Sequence, residues 1–469
     1  MRSLRFGWSA AGVLAAGLVV AAGCAPGSAA GGGGAAQPEQ ARRVEMSKTV
    51  TVGEAPYTGT TNAAIQKAVD DVAAAGGGTV IVPAGTYAMD DALHLRSHVR
   101  VVGRPGAVLK KVPSVSSAVD LVLGFGFQEF RVKEPDKFRV GMGVHVHDDN
   151  AGGFYDTVAT IVGRKGDLFY IDRAFAHDYV PSAKARVTSV FALVQGIGVH
   201  DAAVEGLTID GNYPQETVSL NGCRGGGLFL MQSQRMAVKD VEIANYHGDA
   251  LSFQQCADVW VEDCRLHHNT GHGLHPGSGS VRYVFRRVKS HHNGNCGLYY
   301  CLRTTHSLVE DCDLSENGEN GISVGERDSD HLIRRNRIVA NAKSAIGFRG
   351  VRTQGGDRVI IRDNTIGPNC TKGGPAEIAV PKGLQDVIIE GNAITVGAKP
   401  ALSVEPPCTN ICFYDNRVSG PEPAGGYVSA PGVRQAAPAR LPAVGPAALP
   451  LDGARHLGLP PLPPWPASE

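Results

Sequence analysis

His267, His268, His272, His275, His291, His292, Tyr299 and Arg303 fall within one short span of the chain. So dense a set of titratable and aromatic groups beside an arginine is a candidate functional site. Three chemistries fit these residue types. Proton abstraction next to a carboxylate needs a cation, a base and an acid. Arg303 or Arg327 can supply the cation, His275 or His272 the base, and Tyr299 the acid or the base. Glycoside hydrolysis needs two carboxyls about 5 to 9.5 Å apart. Asp249 and Glu326 are the acidic residues available to it. Metal-assisted chemistry can draw on His272-x-x-His275 with His268. Residues i and i+3 of a strand face opposite ways, so that option needs a bend at Gly273.

An internal repeat positions these residues. A small residue followed by a short apolar strand recurs at Gly227-Leu228, Ala250-Leu251, Gly273-Leu274, Gly297-Leu298, Gly321-Ile322 and Ala345-Ile346. The apolar members lie 23, 23, 24, 24 and 24 residues apart, and the series continues at Ile378 and Leu402. A second series runs in phase: Leu207, Val241, Cys264, Val288, Cys312, Asn336, Asn364, Asn392, Asn416. A third reads Asn269, Asn293, Asn317, Asn341. This period is too short for helical repeats. Val259-Trp260-Val261 and Val359-Ile360-Ile361 are β-rich, and a leucine scaffold is absent. The expected fold is all-β: a right-handed parallel β-helix of about 24 residues per coil, each coil stacked about 4.8 Å above the last. Stacked Asn side chains then bond along the axis. Cys264 and Cys312 lie two coils apart, too far for a disulfide. Asp249 and Glu326, three coils apart at about 14 Å, are too distant for a hydrolytic pair.

Thr61-Asn62-Ala63-Ala64-Ile65-Gln66-Lys67-Ala68, followed by Gly76-Gly77-Gly78-Thr79-Val80-Ile81-Val82-Pro83-Ala84-Gly85-Thr86-Tyr87, resembles the opening of the pectin-lyase-like superfamily. There this segment is a capping helix and the first coil. A threonine N-cap, an amphipathic stretch and a glycine stop agree with that. The asparagine series resembles the family's ladder. The resemblance covers roughly 56–110 and 195–418. It implies ligands lying across the first sheet and its preceding turn, and a polysaccharide partner. On that face stand Ser252, His275, Tyr299 and Ser323, then Gln254, Gly277, Cys301, Gly325 and Arg349. Asp249 and His272 lie where the strands begin, and Arg303, Glu326 and Arg327 where they leave.

The leading expectation is a lyase or C5 epimerase acting on a polyuronate. His275, Tyr299, Arg303, Asp249 and His272 are its catalytic candidates, with Gln254, Arg327, Glu326, His268, His292 and Arg349 binding substrate. His267/His291 and His268/His292 share registers, so they can instead simply stack in the turn. Gly273-Leu274-His275-Pro276 resembles part of the Tyr-Gly-Phe-Asp-Pro-His motif of alginate C5 epimerases. That motif's Tyr, Asp and His fall on His272, His275 and Gly277, and all three differ. Hydrolysis on the same fold and a non-catalytic, glycan-binding or adhesive surface module remain alternatives. No cofactor is assigned. Calcium, for which Asp210-Gly211-Asn212 alone offers little, and a histidine-bound metal both stay open.

Phe127 to Thr188 breaks the period and reads as a small β insertion, assigned to 127–190, between the cap and first coils (46–126) and the helix proper (191–420). His145, His147, Asp148 and Asp149 cluster there and are expected to form a solvated loop. At the N-terminus, Arg2, Arg5 and the apolar run Ala10 to Ala22 read as an export signal over 1–24. Ala21-Ala22-Gly23-Cys24 resembles the bacterial lipobox, which implies a possible lipid anchor at Cys24 and an extracellular or envelope location. Residues 25–45 read as a flexible linker, and 421–469, rich in Pro and Ala, as a disordered tail. The chain has 469 residues with 45 Lys+Arg against 45 Asp+Glu, a balance that argues against a nucleic-acid partner. Gly at 60 residues suits many tight turns. The ten cysteines are scattered through the repeats, so mostly buried free thiols are expected, with Cys408/Cys412 as one candidate pair.

Overall fold

The structure, a computed structural model, describes residues 48–448 except 217, 351–354 and 431. The expected signal segment with Cys24, the linker and residues 449–469 lie outside the described residues. No helix among the described residues is long and apolar enough to cross a membrane.

The repeat builds a right-handed parallel β-solenoid. Each coil contributes short strands to three faces. One face is a 12-stranded sheet, one an 11-stranded sheet, and the third is split into sheets of six and four strands. The apolar series of the sequence is the register of the 11-stranded sheet. Leu251 pairs with Leu274, Leu274 with Leu298, Leu298 with Ile322, Ile322 with Ile346, Ile346 with Ile378 and Ile378 with Leu402. All seven are fully buried along the axis. Strand alternation therefore turns Ser252, His275, Tyr299 and Ser323 away from the core on the same sheet.

The corners hold the coils in register. Asp258, Arg282, Asp330 and Arg358 all have positive φ, a conformation costing roughly 1–2 kcal/mol for a non-glycine residue. Bidentate ion pairs offset it: Arg282 donates to Asp258 at 2.7 and 2.9 Å, and Arg358 to Asp330 at 2.6 and 2.8 Å. The asparagine ladders form as expected. Asn269, Asn293, Asn317 and Asn341 each donate Nδ2–H to the next Oδ1 along the row, at 2.9–3.1 Å. The row ends on Asn369, whose N–H and Nδ2–H are received by the buried carboxylate of Glu377. Asn336, Asn364, Asn392 and Asn416 make the second row.

The capping helix spans Asn62–Ala74 and buries Ile65, Ala68, Val69 and Val72 over the first coils. Thr61 is its N-cap residue, but its side chain makes no capping bond. The insertion is a six-stranded antiparallel sheet with its own core, including Phe130, Phe138 and Phe169. It begins at Ser116–Ala118, earlier than the break at Phe127 suggested. His145 and Asp148 are buried rather than solvated. His145 lies on the strand Gly143–His147, and Asp148 receives the N–H groups of Asn150, Ala151 and Val180.

Part of the segment expected as a disordered tail is ordered. Val428–Ser429 adds a strand beside Leu402–Val404, and Gly445 N–H donates to Asp330 O. Val428, Ala430 and Val433 pack against the central core, and Val444 packs on the outer cluster of Ile360, Ile388 and Cys412 on the 12-stranded sheet. The nine cysteines of the described residues are free thiols, Cys408 and Cys412 included. Those two do not pair because Cys412 joins that outer cluster while Cys408 packs against the central core.

Candidate functional site

The 11-stranded sheet gathers Asp249, His272, His275, Tyr299 and Arg349 from successive coils. His275 Nδ1–H donates to Asp249 Oδ2 at 2.5 Å, and the backbone N–H of His272 donates to Asp249 Oδ1 at 2.6 Å. The Tyr299 ring stacks on His272 at 4.1 Å and meets the edge of His275 at 5.3 Å. The Arg349 guanidinium lies 4.1 Å from the centroid of the same ring. With a flat partner at 4.1 Å in each case, the phenol is held between the imidazole and the guanidinium. Arg349 is fixed in turn by Ser323 Oγ at 2.7 Å and Tyr300 O at 2.6 Å.

The charge states follow from burial and neighbours. Burial pulls the His272 pKa down to about 4, so its ring is neutral at pH 7. Its Nδ1 accepts the Cys296 N–H at 3.1 Å, which leaves the proton on Nε2. His272 is therefore a hydrogen-bond donor toward the groove and has no free lone pair to act as a base. Burial also acts to lower the His275 pKa. The charge and hydrogen bond of Asp249 outweigh it and hold the ring at about 9. Asp249 stays below the usual carboxylate range: burial raises it, but the two histidines pull it lower. Burial raises the Tyr299 hydroxyl, with Arg349 opposing. Tyr299 is half-buried, and its hydroxyl makes no hydrogen bond among the described residues.

A loop covers part of this floor. Residues 211–227 connect two strands of one coil. A methyl group placed on Gly222 would stand 1.9 Å from Asp249 Oδ2 and 2.2 Å from His275 Nδ1. Only a residue without a side chain can lie so close to the pair. The loop is tied down by Ser252 Oγ and Gln254 Nε2, which donate to Gly222 O at 2.5 and 3.2 Å. Arg224 reaches the insertion, donating Nε–H to Phe154 O at 3.1 Å with its guanidinium over the Phe154 ring. At the other end the buried Lys111–Glu216 pair, 3.3 Å apart, holds the loop's first half.

This chain matches the family described as right handed beta helix region over residues 226–374 and 277–432. Its fold is similar to the A-modules of two Azotobacter vinelandii mannuronan C-5 epimerases. For AlgE6 the TM-score is 0.50 at 17% identity, covering 80% of this chain and 95% of that one. For AlgE4 it is 0.50 at 16%, covering 80% and 96%. An exopolygalacturonase from Thermotoga maritima aligns with a TM-score of 0.48 at 11% identity, covering 83% and 92%. No curated protein sequence matches the chain. The chain is a right-handed parallel β-helix.

Of the expected site residues, the β-helix brings together His272, His275, Tyr299, Asp249 and Arg349. Arg303 is exposed where its strand leaves the sheet, and Arg349 is the cation on Tyr299 instead. Arg327 pairs with Glu326 at 3.3 Å. Gln254 is fully buried and anchors the Gly222 loop, so it lies beneath the surface on which a polymer would rest. His268 and His292 stack at 5.2 Å in the turn, and His267 and His291 do so at 5.1 Å. His292 also pairs with Glu316 at 2.8 Å. These four belong to a turn stack.

Sequence reasoning missed the loop and its two consequences: the enclosure of His275 and the approach of Cys223. One signal was present. Leu207 and Val241 are 34 residues apart, where the next four coils take 23 or 24. Among the described residues, two groups of side chains have the composition of a metal site: Cys223, His275 and Cys301, and His98, His200 and Asp201. In the second, Asp201 is already engaged by Arg235 Nη2 at 2.7 Å and by His200 Nδ1 at 2.7 Å.

Proposed function

We propose that this β-helix acts on an extracellular acidic polysaccharide, by proton transfer at the carbon next to a uronate carboxylate. The sandwich His272–Tyr299–Arg349 carries the reading. A half-buried phenol with an unengaged hydroxyl, flanked by a fixed guanidinium, combines a proton-transfer group with a cation for a carboxylate. Burial keeps Tyr299 protonated at neutral pH, so its first role is to deliver a proton to the carbanion-like intermediate. Arg349 neutralises the uronate carboxylate. His272 Nε2–H donates to a substrate oxygen. Asp249, through its bond to the His272 backbone and its ion pair with His275, orders the floor of the groove. Lyase and C5 epimerase chemistry share this intermediate and differ in its fate. The likeness in fold to two mannuronan C-5 epimerases is compatible with either.

Hydrolysis has less support. Asp249 is shut beneath Gly222 and committed to two histidines, and Glu326 is drawn to Arg327. A glycan-binding module uses the same groove without proton transfer, and the enclosure of His275 favours that second reading. The test is a panel of alginate, pectate, hyaluronan and heparin-type polymers incubated with the purified chain. An ultraviolet-absorbing unsaturated uronide identifies a lyase. Deuterium uptake at C5 without cleavage identifies an epimerase. Binding with neither leaves the module, and cleavage to saturated ends restores the hydrolase.

A further inference from the structure

Cys223, Cys301 and His275 lie side by side at the inner edge of the groove. One ring nitrogen of His275 and both Sγ atoms lie within 4.8 Å of one another. The three reach this point by separate routes. Cys223 arrives on the long loop, directly after Gly222. His275 stands on the strand Leu274–Gly277. Cys301 belongs to the next coil, bridged to Gly277. Three of the buried thiols, by contrast, bond to backbone carbonyls: Cys256 to Gln254 O at 3.3 Å, and Cys264 to Glu262 O and Cys312 to Glu310 O at 3.2 Å. His275 is 5% exposed, and its Nε2 has no hydrogen-bond partner within bonding distance among the described residues. Such an orphaned nitrogen costs roughly 1–3 kcal/mol unless something engages it.

The His275 ring is already oriented for a ligand. Nδ1–H is committed to Asp249 Oδ2, so the Nε2 position is the one a metal ion takes, displacing the proton that Nε2 carries while the ring is paired with Asp249. A carboxylate behind a histidine is the usual arrangement at zinc sites, where it fixes the tautomer and strengthens the ligand. Two thiolates and one imidazole are the donor set of a soft divalent ion and leave a fourth position open. Bonds of about 2.3 Å to sulfur and 2.0–2.1 Å to nitrogen place tetrahedral ligand atoms about 3.5–3.8 Å apart. Closing from 4.8 Å to that spacing needs only side-chain rotation and a small shift of the loop.

We propose that Cys223, His275 and Cys301 form a binding site for a thiophilic divalent metal ion, zinc in the first place. The site is independent of the proton-transfer reading: it depends on three side chains and one carboxylate, whatever the polymer. Metal uptake ties the loop to the sheet and releases the thiol protons. Its open position takes water or an oxygen of a bound ligand.

Cobalt(II) titrated into the reduced, chelator-stripped full chain is the probe. One equivalent should give sulfur-to-cobalt charge-transfer absorption with tetrahedral ligand-field bands, and zinc should displace it. Cys223→Ser and Cys301→Ser should each abolish the charge-transfer signal or shift it to that of a single thiolate. Cys408→Ser, away from the cluster, should leave it unchanged. Asp249→Asn should weaken binding about 10- to 100-fold, as loss of a supporting carboxylate does elsewhere. Circular dichroism melts separate loss of the site from loss of the fold. Cys223 lies in a loop, so the Cys223→Ser fold should persist. No cobalt–thiolate absorption in the reduced, folded chain overturns the proposal. So does a signal that survives both cysteine substitutions. A Cys223–Cys301 disulfide in the isolated protein that, once reduced, yields no metal uptake also overturns it and makes the pair a redox clasp.

Discussion

Arg349 lies with its guanidinium carbon 4.1 Å from the centre of the Tyr299 ring, although two coils of the β-helix separate their strands. The reach is held by Ser323 Oγ and Tyr300 O along the way. A stacked cation of this kind is worth about 0.5–2 kcal/mol to its partner and presents its edge to an anionic ligand. Arg349→Ala should therefore weaken binding of acidic polymers by about tenfold or more, equivalent to roughly 1.4 kcal/mol. Arg349→Lys should recover only part of this, because a single ammonium cannot stack and fork at once. Isothermal titration at two salt concentrations checks both, and the salt dependence should shrink in the alanine variant.

Tyr299→Phe keeps the ring between His272 and Arg349 and removes only the hydroxyl. Turnover should fall by about 100-fold or more, the usual contribution of a positioned proton-transfer group, with affinity for polymer nearly unchanged. An unchanged rate assigns Tyr299 to sugar stacking alone.

Gly222→Ala inserts a methyl group that would stand 1.9 Å from Asp249 Oδ2. The loop must lift, since the Asp249–His275 pair is fixed from below. The expected outcome is loss of site function with the solenoid's melting transition largely retained. Limited proteolysis should report earlier cleavage within 211–227.

Asn317 sits mid-row, donating to Asn341, Ser290 O and Ser315 O. Asn317→Ala leaves buried carbonyls unsatisfied and should cost on the order of 3 kcal/mol. Asn416→Ala, at the partly exposed end of the other row, should cost visibly less. Denaturant melts compare the two.

Acid should loosen the fold through histidines buried in the neutral form. Burial, aided by His306 and Arg358, lowers the His331 pKa from 6.5 to about 3, and burial with His145 lowers that of His147 to about 4. Both groups are neutral above pH 6.5 in the folded and unfolded chain, so stability there does not depend on them. Below 6.5 the unfolded chain takes up protons that the folded chain refuses. Stability should therefore decline from about pH 6.5 toward 4, and the contribution of His147 should level off below that. His331→Asn should flatten this part of the melting profile, since Asn does not titrate.

The sequence carried the solenoid openly, because every coil repeats the same demand for one small and one apolar residue at Leu274, Leu298, Ile322 and Ile346. His272, His275 and Tyr299 were legible for the same reason: strand alternation fixes which residues leave the core. Three features were not. The Arg349 side chain crosses coils, and spacing says nothing about how far a guanidinium reaches. His275 is enclosed by Gly222, a residue whose contribution is the absence of a side chain. Cys223 sits on an irregular loop with no period to place it, so its meeting with Cys301 appears only in three dimensions. The order in Val428–Ser429 was hidden by a Pro/Ala-rich composition that is indifferent to the one strand it contains.

Glu377 gives the inner asparagine row a direction. Each asparagine of that row hands its hydrogens to the one above, and the last, Asn369, hands them to a carboxylate that has none to pass on. A duplicated coil inserted between Asn293 and Asn317 finds an acceptor above and a donor below, and is satisfied at once. Asn369 and Glu377 stand eight residues apart in one turn, with no coil boundary between them at which the row could be extended. A residue other than asparagine at 369 keeps the backbone N–H bond but removes the side-chain donor, leaving the buried Glu377 carboxylate only partly satisfied. The protein can thus lengthen by internal copying in its middle, while the row's terminator sets where such growth must stop.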